Sequence, residues 1–177
     1  GTLHFVGVPD EVVTNDDFTT IVDTSDAWIT QRTGIKERRR VSADQATSDL
    51  AIPAVEMALE RAGVEGGDVD AIIVATATPD TPFPSTACLI QSAIGATESF
   101  AYDVAAACAG FIFGLAQAQS FVVSGMAETV VVVGAECLTR VTNYDDRNPC
   151  VLFGDGAGAV VVKGCDPPRG IVDHFLK

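Results

Sequence analysis

Five stretches of the chain are apolar with little polar interruption: "LHFVGV" (3–8), "AIIVATAT" (71–78), "SFAYDVA" (99–105), "TVVVVGA" (129–135) and "AGAVVVKG" (157–164). A strand with one face in water alternates apolar and polar residues, so continuous runs predict strands covered on both faces. Three helical patterns lie between them. "TSDLAIPAVEMALERAG" opens with Thr47 or Ser48 as candidate cap and stops at Gly63. "PSTACLIQSAIG" opens with Pro84 and Ser85 and stops at Gly95, and "CAGFIFGLAQAQSFVVSG" stops at Gly125. The polar residues of the third, Gln117, Gln119, Ser120 and Ser124, all lie in its C-terminal half. A helix whose first half is apolar all round is expected to be wrapped in protein. One sheet would leave its outer side in water, so the pattern predicts a layer held between two sheets, and the chain has strands for only one. The predicted order is βαβαβαββ, with an insertion at 9–46 after the first strand. That is half of a five-layer α/β architecture.

Composition narrows the classes of function. With 177 residues, 47% apolar and 20% charged, the chain is globular and long enough for one α/β domain or half of a larger one. No apolar run is read as reaching the ~18 residues of a membrane span, and the first residues show no basic-then-apolar leader. Eleven basic against 24 acidic residues give a net charge of −13, which argues against nucleic acid and anionic membranes as partners. Lys36, Arg38, Arg39 and Arg40 follow Arg32 closely, as either a solvated turn or a phosphate-facing patch. The five cysteines, Cys88, Cys108, Cys137, Cys150 and Cys165, are odd in number and have no CxxC spacing. They read as reduced thiols of a cytoplasmic protein, not as a disulfide frame or a metal site. His4 and His174 lack motif context and read as structural.

Three motifs carry candidate chemistry. In "DVAAACAGF" (103–111), Cys108 sits among small residues where a strand hands over to a helix. At the first turn of that helix, unpaired N–H groups and the helix dipole would favour its thiolate, and the surrounding alanines and Gly110 would leave room for a substrate carbonyl. The Cys108 N–H would then face the developing oxyanion. A buried structural cysteine fits the same residues. "GDGAGAVVV" (154–162) runs from glycines into a β-branched strand, not a helix, so it is not a dinucleotide fingerprint. It predicts a tight turn where backbone passes close beneath another element, with Asp155 closing the turn. In "TSDAWITQRTGIKERRR" (24–40), Trp28 and Arg32 lie four apart on one face of a short helix. An indole and a guanidinium can hold an adenine or a phosphorylated tail, or the tryptophan simply caps the fold.

Together, "DTSDAWITQRTGIKERR", "FPSTACLIQSAIG", "DVAAACAGF", "VVVGAE" and "FGDGAGAVVV", in that order, resemble the β-ketoacyl-acyl carrier protein synthase III family of bacterial type II fatty acid synthesis. The resemblance implies a thiolase-like fold, with residues 1–164 as its N-terminal half and 165–177 as the start of the other half. It implies that Cys108 is acylated by an acyl-CoA primer, commonly acetyl-CoA. Decarboxylation of malonyl-acyl carrier protein then supplies a carbanion that attacks the thioester to give a 3-ketoacyl product. Trp28 and Arg32 match residues that hold the adenine and phosphates of CoA, and Arg147 in "DDRNP" matches another CoA-contacting arginine. Phe153 matches an aromatic lining the acyl pocket. Phe83 matches a phenylalanine that crosses a homodimer interface. The family's catalytic histidine and asparagine come from a C-terminal half absent from this chain; His174 matches a position in the first strand of that half. No cofactor is implied, CoA thioester being a substrate. Two alternatives remain at this stage: a related synthase with another acyl starter, for secondary metabolism or branched chains, and a non-catalytic partner that only dimerises or binds acyl-CoA.

Overall fold

A computed structural model describes residues 5–166 and 169–176, without the side chains of Phe5 and Val6; His4 lies outside this set. Among the described residues, seven strands and five α-helices follow one another as β1 (Phe5–Gly7), β2 (Glu11–Thr14), α1 (Asp26–Thr33), β3 (Glu37–Arg40), α2 (Thr47–Ala62), β4 (Ala71–Ala75), α3 (Thr86–Ala93), β5 (Phe100–Val104), α4 (Gly110–Ser124), β6 (Thr129–Cys137), α5 (Arg147–Cys150) and β7 (Asp155–Lys163). The five predicted strands form one sheet in the order β1-β7-β6-β4-β5, so the βαβαβαββ reading holds. The pairs β4–β5 and β4–β6 are parallel, whereas β7 runs antiparallel to both β6 and β1. Residues 9–46 supply α1 and a separate two-stranded antiparallel sheet, β2–β3, with α1 in the connection between its strands.

The absence of alternation in the strands follows from two covered faces. Ile72, Val74, Val131 and Val133 point into a cluster shared with Ala51, Val55, Ala87 and Ile90 of α2 and α3. Their neighbours Ile73, Val130 and Val132 point the other way, into a cluster with Ala118 and Leu115 of α4. Each fully buried valine or isoleucine contributes roughly 1.5–3 kcal/mol relative to an exposed one. All three predicted helix stops are found, with Gly63, Gly95 and Gly125 in the left-handed region at φ 64°, 73° and 74°.

Four expectations need correction. Neither Thr47 nor Ser48 caps α2: the cap is Ala46, whose N–H donates to the Asp49 carboxylate at 2.7 Å. The two hydroxyls reach sideways instead, Thr47 Oγ1 to the Thr78 carbonyl and Ser48 Oγ to Asp80 at 2.6 Å, tying α2 to the loop after β4. Second, Ala107–Ser124 is long and apolar enough to cross a membrane, contrary to the reading from apolar runs. Here it packs on the sheet, with Gly110, Gly114, Ala116 and Ala118 buried.

Third, the final run, expected to carry the first strand of the second half, forms no strand at 169–176, and α4, held by the one sheet this chain supplies, is open on its other side among the described residues. Ile112 and Val123 on its outer side are exposed, and residues 169–176 pass over it, Gln119 bonding the Ile171 carbonyl and the His174 ring. Phe113, Gln117, Phe121, His174 and Leu176 line a cavity of about 560 Å³ there. Fourth, the arginine run is neither a solvated turn nor a phosphate patch. Arg38 is buried, Arg39 donates to the Pro9 carbonyl at 3.0 Å, and Arg40 pairs with Glu11. An extended strand directs successive side chains to opposite faces, so Arg39 points away from Arg38 and Arg40, of which the first is buried and the second is held at the surface by Glu11.

Candidate active site

Strands β4, β5 and β6 are parallel, so the loops leaving their C-terminal ends share one edge of the sheet, and antiparallel β7 starts at that same edge. Such an edge is where open α/β sheets bind ligands. Phe83 leaves it in the loop after β4, Cys108 in the turn after β5, and Arg147 and Phe153 in the segment between β6 and β7.

Cys108 occupies a single 3-10 turn, Ala107–Ala109, that runs directly into α4. The helix proper begins two residues later than expected, so the sulfur lies just before its amino end and not within its first turn. The thiol is exposed among the described residues and does not pack into this half's core. Ala107 has φ +45°, a conformation that costs a non-glycine residue on the order of 1–3 kcal/mol and that gathers at functional turns. No sequence signal marked this strain, because alanine gives no hint of a left-handed position.

Ala105, Ala107 and Ala109 beside Cys108 are exposed, but the glycines that follow do different work from that expected. A Cβ on Gly110 would lie 3.0 Å from the Cβ of Ala75, and one on Gly114 would lie 2.9 Å from Val132 Cγ1. These glycines let α4 approach β4 and β6, which holds the Cys108 turn against the end of the sheet. Gly110 is buried and faces the sheet, so it opens no space for a substrate. Tyr102 adds a tie, its hydroxyl donating to Gln117 Oε1 at 2.6 Å.

The side chains of Trp28, Arg32 and Arg147 lie close together. Ser25 caps α1 by accepting the Trp28 N–H at 3.1 Å, and Gly34 ends the helix at φ 74°. The Arg32 guanidinium lies over the Trp28 ring at 4.4 Å, and that of Arg147, from α5, at 4.6 Å. Arg147 is further held by a 3.0 Å bond to the Asp23 carbonyl. The result is an indole ring with two guanidinium groups stacked over it. Phe83 is 89% exposed and Phe153 40% exposed, so neither packs into the core.

Three carboxylates hold these loops: half-buried Asp103 and Glu136, which sequence reasoning missed, and buried Asp155. Asp103, inside the Cys108 motif, accepts the N–H groups of Thr86 and Ala87 at 2.9 and 2.8 Å and so anchors the start of α3. Asp155 does not close a local turn, since it is already in β7. It accepts from Val41 N, Thr139 N and Thr139 Oγ1 at 2.8, 2.9 and 2.6 Å. The close passage predicted for the glycine cluster is present at Gly154, where a Cβ would sit 2.8 Å from Arg38 Cβ. Glu136 receives Ala77 N and Thr78 Oγ1 at 2.8 and 2.6 Å, linking the ends of β4 and β6. Burial pushes the Cys137 and Cys150 thiols above their ordinary range, so both are held neutral within the fold.

A sheet with α2 and α3 on one face, α4 on the other and an exposed cysteine turn at the shared strand edge defines a thiolase-like fold. The solved 3-oxoacyl-[acyl-carrier-protein] synthase III of Thermus thermophilus overlays with a TM-score of 0.90 at 50% identity, covering 96% of this chain and 53% of that one. The priming β-ketosynthase of the R1128 polyketide pathway overlays at 0.90 and 37% identity, covering 93% and 49%. The family model for 3-oxoacyl-[acyl-carrier-protein (ACP)] synthase III matches residues 102–177. The β-ketoacyl-[acyl-carrier-protein] synthase III of Caldanaerobacter subterraneus is 54% identical over 169 residues, 96% of this chain and 51% of the relative. The chain belongs to the β-ketoacyl-acyl carrier protein synthase III family, and it spans about half the length of the curated relatives it matches.

Proposed function

We propose that the chain is the nucleophile-bearing half of a condensing enzyme that starts type II fatty acid synthesis. The exposed Cys108, set on a strained turn at the amino end of α4, carries this reading. Its thiolate attacks the thioester carbonyl of acetyl-CoA, the Cys108 N–H stabilises the oxyanion, and CoA leaves as its thiolate. Malonyl-acyl carrier protein then loses CO2. The resulting carbanion attacks the acyl-cysteine, forms the new carbon–carbon bond and releases the Cys108 thiolate. Trp28 stacks on adenine, while Arg32 and Arg147 neutralise the phosphates. Phe153 lines the acyl pocket. Phe83, almost wholly exposed, crosses to a second copy in a homodimer. The C-terminal half, beginning near residue 165, covers the outer side of α4 and brings the histidine and asparagine. The reaction needs no further cofactor, and the enzyme works in the cytoplasm.

The test is transfer of label from acetyl-CoA to the intact protein. Label is expected on Cys108 and absent in Cys108→Ala; undiminished transfer in that variant overturns the assignment. The likeness to a polyketide priming ketosynthase favours one second reading, a different acyl starter. A panel of acyl-CoA primers distinguishes the two. A non-catalytic partner would show no label with any primer.

A further inference from the structure

The two arms of the Trp28 clamp come from separate elements: α1 carries Trp28 and Arg32, and α5 carries Arg147. Between them lie two buried polar side chains with no part in the chemistry above. Asn15, 2% exposed and one residue beyond β2, donates from Nδ2 to Asp26 Oδ1 at 2.8 Å, Thr30 Oγ1 at 3.3 Å and the Ile35 carbonyl at 2.7 Å. Asp26 and Thr30 belong to α1, and Ile35 follows it. Asn15 Oδ1 accepts from Arg38 Nη1 at 2.8 Å, and Arg38 Nη2 donates at 2.6 Å to the carbonyl of Val151, the residue that closes α5. The guanidinium stacks 4.6 Å from the Phe18 ring centroid, which fixes its plane.

We propose that Asn15 and Arg38 are positioning residues that set the spacing of α1 and α5, and through it the affinity of the Trp28, Arg32 and Arg147 clamp for the adenine nucleotide end of the acyl donor. A buried guanidinium bonded to an amide and a backbone carbonyl is costly to leave half satisfied, so α5 follows Asn15 and not solvent. The Asp26 carboxyl reports the same contact, held below its ordinary range first by the Asn15 bond and then by that of Thr30. Neither residue touches Cys108 in any hydrogen bond described, so the acyl-transfer chemistry is expected to be insensitive to both.

This inference rests on the CoA-clamp reading, and acetyl-pantetheine, a donor without the nucleotide, separates the two. In the intact enzyme, kcat/KM is measured with acetyl-CoA and with acetyl-pantetheine for the wild type, Asn15→Ala and Arg38→Lys. The preference for CoA is expected to fall about tenfold in the variants through a higher KM, as for loss of one buried charged hydrogen bond, with the pantetheine rate unchanged. Arg38→Lys keeps a cation near Phe18 but cannot reach both Asn15 and Val151, and it serves where Asn15→Ala does not fold. A wild type without preference for CoA refutes the clamp. A wild-type preference retained by the variants, or equal loss with both donors, overturns the positioning role.

Discussion

Gly114→Ala tests how tightly α4 is held on the sheet, and with it the placing of Cys108. The new Cβ would lie 2.9 Å from Val132 Cγ1 and 3.5 Å from Ile73 Cγ2, and both partners are 0% exposed. Carbon atoms attract best at about 3.5–4.0 Å, so the first contact is well inside the repulsive wall. Glycine to alanine within a helix otherwise stabilises by roughly 0.5–1 kcal/mol, while overpacking a dense core costs roughly 1–3 kcal/mol. The single variant is therefore expected to lose about 1 kcal/mol. Val132→Ala alone removes buried methyl groups and costs about 2 kcal/mol. In that background the clash is gone, so Gly114→Ala should become stabilising, giving a coupling of about 2 kcal/mol. Urea unfolding of the four proteins measures it, with the rate of Cys108 alkylation followed in parallel. Additivity within about 0.5 kcal/mol would show that α4 does not rest on Val132 as described.

Asp155→Ala leaves the Val41 and Thr139 donors without their acceptor, so a loss of about 2–4 kcal/mol is expected, read from the urea midpoint. With iodoacetamide near neutral pH, peptide mapping should find label on exposed Cys108 and Cys165 long before buried Cys137 and Cys150. In a Cys165→Ser background, Cys108 should then be the fastest thiol, ahead of half-buried Cys88, and equal labelling of Cys137 would contradict the packing. The Asp26 carboxyl is depressed in the folded protein, so its contribution to stability is full above the ordinary value of about 4 and is lost as pH falls through the lower folded value. NMR titration should place it below that ordinary value in the wild type and nearer to it in Asn15→Ala.

The sequence by itself was enough for the five strands of the main sheet, the glycine stops of three helices and a candidate nucleophile. Val130 to Val133 admit only a strand with both faces covered, and a glycine at 63, 95 or 125 stops a helix at no steric cost; both are local effects, written in consecutive residues. Cys108 was legible because its neighbours formed a recognisable motif. What tertiary structure alone decided was the use of the polar side chains. Arg38 reaches Val151 across 113 residues and Asp155 reaches Val41 across 114, and no local pattern encodes which backbone group will lie opposite. The same holds for Arg147 over Trp28 and for the left-handed Ala107. Burying an apolar side chain asks only for any dry neighbour, whereas a buried donor or acceptor needs one particular partner at one distance, and only the assembled chain supplies it.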